Sequence, residues 1–167
     1  SYGDQVKMAE GVPVFVQAKE DNHFKVTVEQ LEAARTDKTK VLVLNSPSNP
    51  TGMIYSREEL LAIGNWAVAH DVLILADDIY GRLVYNGNEF VPISSLSEAI
   101  RKQTIVINGV SKAYAMTGWR VGYAVGNPEI ISAMSKLTGQ TTSNLTAVSQ
   151  YATIEALTGP QDSVETM

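Results

Sequence analysis

A three-layer α/β/α sandwich around a mostly parallel sheet is the fold class predicted by this chain, and two observations carry it. Short apolar runs alternate along the sequence with longer segments of helical period. Three of those runs contain consecutive apolar residues ("VLVL", "VLILA" and "IVI"), as strands buried on both faces require.

In chain order, the runs predict strands at residues 12–18 ("VPVFVQA"), 41–45 ("VLVLN"), 72–77 ("VLILAD"), 104–109 ("TIVING") and 121–126 ("VGYAVG"). Helix starts between them are well marked. Thr27 with Gln30, and Ser56 with Glu59, have the spacing of a capping box, in which a hydroxyl and a side chain three residues on satisfy orphan N–H groups. They predict helices over 28–35 and 57–70. Asn127-Pro128 is a cap followed by the proline that suits a first turn, opening a third helix towards Leu137 that Gly139 should end. A fourth helical segment spans 144–157. The final stretch "TGPQDSVETM" has no core pattern and reads as a chain cut in mid-domain.

Composition narrows the function classes. The 167 residues suit one domain with a sizeable core, and 44% hydrophobic with 19% charged residues is ordinary for a globular protein. No repeat or low-complexity tract interrupts it. A net charge of -5, with no run of basic residues, gives no footprint for nucleic acid or an anionic membrane surface. With no cysteine, and only His23 and His70 far apart, no metal site is expected. Without a long apolar segment or a leader-like start, a cytoplasmic address is expected.

Ligands of open parallel sheets bind outside the carboxyl ends of the strands, where loops converge. After "VLVLN" comes "SPSNPTG" with Asn49; after "VLILA" comes "DDIYGRLVY" with Asp77 and Tyr80; after "TIVING" comes "VSKAYAMTGWR" with Ser111, Lys112 and Arg120. Each has a plain alternative. "SNPTG" reads equally as a turn, either aspartate as a helix cap, Lys112 as a solvated lysine and Arg120 as a surface ion pair. What favours chemistry is their convergence on one sheet edge. A lysine amine forms a Schiff base with an aldehyde, an arginine holds a phosphate bidentately, and a carboxylate keeps a pyridine nitrogen protonated. Together they describe a site for pyridoxal phosphate, with Asn49 and Tyr80 as donors to its 3'-oxygen. Three aromatics nearby, Tyr114, Trp119 and Tyr123, are expected in the core.

At "LNSPSNPTG", "ADDIYGRLVY" and "NGVSKAYAMTGWRVGYAVG" the sequence resembles the class I/II aminotransferases of fold type I, nearest to bacterial aspartate aminotransferases. The motifs stand in the family's order and approximate spacing, and the similarity runs the length of the chain. The resemblance implies that Lys112 is the Schiff-base lysine and the acid/base of the transfer. It also implies that Asp77 faces the pyridine nitrogen, that Tyr80 and Asn49 bond the 3'-oxygen, and that Arg120 and Ser111 hold the phosphate. Asn49-Pro50 is a candidate cis bond. Gly109 stands where many relatives have serine, and Asp78 where they have glutamate.

By the same resemblance the chain is the central part of the large, cofactor-binding domain. It would lack an N-terminal segment and a C-terminal small domain that grips substrate, and as a fragment it is expected to be inactive alone. Amino acid and 2-oxo acid substrates and a homodimer are implied, with exposed apolar surfaces and self-association of the piece. Other readings are a pyridoxal-phosphate β-lyase or aminocyclopropane-carboxylate synthase on the same scaffold, an aminotransferase-like regulatory domain of a transcription factor, and a scaffold without cofactor.

Overall fold

The computed structural model describes residues 1–167. Four strands form one sheet in the order β1 (Val41–Asn45), β2 (Leu73–Asp77), β3 (Thr104–Gly109) and β4 (Gly122–Val125). The first three are parallel and β4 runs antiparallel to β3. The predicted bounds of β1 and β3 match. At β2 and β4 the ladder is one residue shorter at each end that differs.

Seven helices accompany the sheet: α1 (Tyr2–Met8), α2 (Val28–Ala34), α3 (Arg57–Ala69), α4 (Glu98–Lys102), α5 (Pro128–Thr141), α6 (Ala147–Thr158) and α7 (Asp162–Thr166). Both predicted capping boxes form, Thr27 with Gln30 and Ser56 with Glu59. Asn127 caps α5 by accepting from the Glu129 N–H. Gly139 does not end that helix, which continues to Thr141. A helical glycine costs only about 1 kcal/mol, and nothing here forces the backbone out of helical geometry. α1, α4 and α7 are too short to show a helical period in the sequence.

The core lies on one face of the sheet. Leu44 of β1 with Ile74 and Ala76 of β2 packs against Leu31 of α2, Leu60, Ile63, Trp66 and Ala67 of α3, and Ile100 of α4. Ile63, Ile74 and Ile100 are essentially inaccessible. Strands buried equally on both faces were expected, but β2 alternates: Ile74 and Ala76 are buried while Leu73 and Leu75 are half-buried. The reason is a thin second layer. No residue of α5 is buried and only Ser149 of α6 is. Leu137, Val148, Tyr151 and Ile154 stand exposed on those helices.

Residues 12–18 form no strand, which corrects the sequence reading. Pro13 has no N–H to offer a ladder, and no neighbouring strand is available to pair with the segment. Instead Val16 packs on the core, the Gln17 carbonyl accepts from the Gln30 side chain at 3.2 Å, and Val12, Val14 and Phe15 remain exposed.

Candidate functional site at the carboxyl edge of the sheet

The strand register assembles the site. Asn45 is paired with Asp77, and Asp77 with Ile107, so the last residues of β1 and β2 lie side by side at the edge. Asn45 ties this edge together, since its Nδ2 donates to the Asp77 carbonyl at 3.0 Å and its Oδ1 accepts from the Asn49 N–H at 3.0 Å. The 46–52 loop is thereby folded back over β1, with Ser46-Pro47 and Asn49-Pro50 both cis. The second of these is the bond singled out from the sequence. Asn49 then reaches Tyr80, its Nδ2 standing 3.4 Å from the phenol oxygen.

Asp77 is half-buried and its carboxylate is held from two sides. Oδ1 accepts from the Ile79 N–H at 3.2 Å, and Oδ2 accepts from the phenol of Tyr2 on α1. Burial, then the bond to Asp77 and that group's negative charge, push the Tyr2 phenol above its ordinary pKa. Tyr2 escaped the sequence reading because it lies 75 residues from its partner, and a tyrosine near a chain start carries no local signal.

Lys112 follows β3 and hangs over the same edge, its Nζ 5.6 Å from the centroid of the Tyr80 ring. Within a turn closed by the Ala115 N–H on the Lys112 carbonyl at 3.1 Å, its amine has neither an acidic partner nor a hydrogen bond. Ser111 is half-buried. Arg120 is exposed, with a left-handed φ of 56°, and its guanidinium meets only the Thr117 carbonyl of its own turn at 2.9 Å. Asn49, Tyr80 and Lys112 are thus brought together by contact, and Asp77 is tied to the same edge through Asn45, which also bonds Asn49. Arg120 and Ser111 sit on the same loop as the lysine, bonded to none of the four.

Gly109 is explained by close approach. A Cβ there would lie 2.7 Å from the Val121 carbonyl oxygen, nearer than packing allows, so the β3–β4 crossing excludes a side chain. Asp78, the residue after β2, is buried and faces a cavity of about 160 Å³ with Arg82, Asn108, Tyr114 and Tyr123. Burial, followed by the neighbouring Asp77 charge, raises its carboxyl to about 7. Arg82 does not pair with it; Nη1 donates to the Tyr114 hydroxyl and to Gln161 Oε1, both at 2.6 Å. Of the three aromatics expected in the core, Tyr114 is half-buried in this cluster, whereas Trp119 and Tyr123 are 42% and 36% exposed. Trp119 ends a short helical turn and Tyr123 lies in the edge strand β4, where the covering layer is thin.

A larger cavity of about 370 Å³ borders Asn49 and Tyr80 and is walled by Pro47, Ile54, Leu83 and the 85–88 turn. Asp77, Lys112 and Arg120 lie outside it.

A mostly parallel α/β sheet with an unpaired lysine, an aspartate and an arginine near one carboxyl edge is the arrangement in which open sheets of this class place their ligand sites. The chain belongs to the aminotransferase class I and II family, which it matches over residues 1–167. It is 74% identical, over all 167 residues, to an asparagine–oxo-acid transaminase of Streptococcus mutans, and 57% identical to an aspartate aminotransferase of a Bacillus species. It covers 42% and 43% of those two relatives, so the chain spans less than half their length. Among solved structures it superposes on an aspartate aminotransferase from Rhizobium meliloti with a TM-score of 0.96 at 43% identity, covering 99% of this chain and 42% of the other. An aromatic aminotransferase from Pyrococcus horikoshii gives 0.95 at 35% identity, covering 99% and 45%.

Proposed function

We propose that this chain is the cofactor-holding part of a pyridoxal-phosphate-dependent aminotransferase that exchanges an amino group between aspartate or asparagine and a 2-oxo acid. The substrate class rests on the names of the Streptococcus and Bacillus relatives. The observation that carries the reaction class is the unpaired amine of Lys112, poised above the ring of Tyr80, which Asn49 also reaches. A lysine at a half-buried strand exit without a counter-ion is suited to nucleophilic use rather than to an ion pair.

The donor set fits pyridoxal phosphate. Lys112, Ser111 and Arg120 offer an amine, a hydroxyl and a guanidinium that no protein carboxylate neutralises. When bound, the cofactor supplies an aldehyde and a pyridine ring that draws electrons from the substrate α-carbon. Lys112 would be the nucleophile towards that aldehyde and the base for the α-proton. Asp77 would hold the proton on the ring nitrogen, its carboxylate kept in place by the Ile79 N–H. Asn49 and Tyr80 would donate to the ring oxygen, while Arg120 and Ser111 would bind the phosphate. The parent enzyme acts as a homodimer in this reading, which the exposed apolar side chains of α5 and α6 support.

Titration with pyridoxal phosphate tests the proposal. Wild type should develop a near-visible absorption band that Lys112→Ala lacks; identical spectra would refute the lysine's role.

A further inference from the structure

We propose that Asn86 is a site of spontaneous covalent modification: attack by the Gly87 backbone nitrogen on its side-chain amide converts it to aspartate and isoaspartate. The chain contains two Asn-Gly pairs, Asn86-Gly87 and Asn108-Gly109, and the fold treats them oppositely.

Asn86 and Gly87 are the central residues of an exposed turn closed by the Asn88 N–H on the Tyr85 carbonyl at 3.2 Å. Their φ angles of 60° and 73° are the left-handed pair that favours asparagine followed by glycine in a two-residue turn. The Gly87 N–H has no acceptor and the Asn86 amide no partner. No heavy atom lies within 4 Å of where a Gly87 Cβ would be, so that side of the turn is open. In the step, the Gly87 N–Cγ bond forms as the Cγ–Nδ2 bond breaks and ammonia leaves. Water then opens the cyclic imide at either carbonyl, giving aspartate or isoaspartate, with no oxidant or reductant needed.

Asn108-Gly109 lies within β3, paired with Tyr123 and Gly122 of β4. Gly109 is buried, and the Val121 carbonyl and Gly122 Cα crowd it at 2.7 and 3.2 Å from a Cβ position, so its backbone has no room to shift. Its N–H donates to Asn108 Oδ1 at 2.7 Å. The strand pairing therefore protects the second pair.

The consequence is local. Tyr85, Asn86 and Asn88 line the larger cavity, opposite Asn49 and Tyr80, so conversion makes a neutral wall acidic and, as isoaspartate, lengthens the main chain of the turn by one carbon.

The test is mass spectrometry of the folded chain kept in warm, mildly alkaline buffer, then cut with trypsin. Peptide 83–101 reports Asn86 and peptide 103–112 reports Asn108. Fragment spectra should place a gain of about 1 Da on Asn86, roughly tenfold or more faster than on Asn108, with the two rates converging in urea as the strand pairing that protects Asn108 is lost. Asn86→Gln should abolish the gain in the first peptide without changing the second. Equal rates in the folded protein, or an unmodified Asn86 while the urea-unfolded chain reacts, would overturn the proposal.

Discussion

Replacing Asp78 by asparagine should stabilise the chain, and by an amount that grows with pH. Asp78 is 6% exposed and its carboxyl titrates at about 7 against an ordinary 3.8, chiefly because burial penalises the charge. The folded-state value is raised, so the native state holds a proton that the unfolded chain has lost. The stabilising effect of that proton is full below pH 3.8 and falls away as pH rises through about 7. Above that, an ionised Asp78 opposes folding by up to about 4 kcal/mol, at roughly 1.4 kcal/mol per pKa unit. Asparagine has the same shape without the charge. On the linkage relation, its advantage should increase by about 2 kcal/mol between about pH 5.5 and about pH 8.5. Urea unfolding of both proteins, followed by the fluorescence of Trp66 and Trp119, measures it. A stability difference that does not change with pH would refute the reasoning, since it would place the charge of Asp78 in water or in an ion pair with Arg82.

Three further outcomes are expected. Tyr2→Phe removes the phenol that orients Asp77; it should cost about 1 kcal/mol of stability and weaken pyridoxal phosphate binding severalfold in equilibrium dialysis, and unchanged affinity would detach Tyr2 from the site. Gly109→Ser drives a Cβ into the Val121 carbonyl and should lower stability by about 1–3 kcal/mol in urea, with no loss if the β3–β4 spacing is looser than described. Ile154→Lys places a charge on the exposed apolar face of α6 and should shift the sedimenting species to lower mass if that face mediates self-association.

Much of the site was legible because strand ends and chemistry coincide in sequence. Asn49, Asp77 and Lys112 each stand within a few residues of an apolar run, and the parallel register then brings the runs level. The capping boxes were legible because their two partners are three residues apart. What was not legible is long-range. The Tyr2–Asp77 contact depends on how α1 folds back over the sheet, and no local pattern reports it. Residues 12–18 carry a strand's apolar pattern without a strand to pair with, so composition misled where pairing decides. Trp119 and Tyr123 look like core residues by type, yet the layer over β4 is thin and leaves them partly exposed. Asp78 was legible as an acidic residue; its burial against the cavity with Arg82, Tyr114 and Tyr123 depends on residues far along the chain.

The central claim is that Lys112 is the nucleophile of a cofactor site already organised within this chain. Borohydride reduction of the protein mixed with pyridoxal phosphate, followed by peptide mass mapping, tests it most directly. The account predicts one reduced adduct, on Lys112, lost in Lys112→Ala and weakened in Asp77→Asn. An adduct scattered over surface lysines such as Lys38 and Lys136, with Lys112 unmodified, would contradict it.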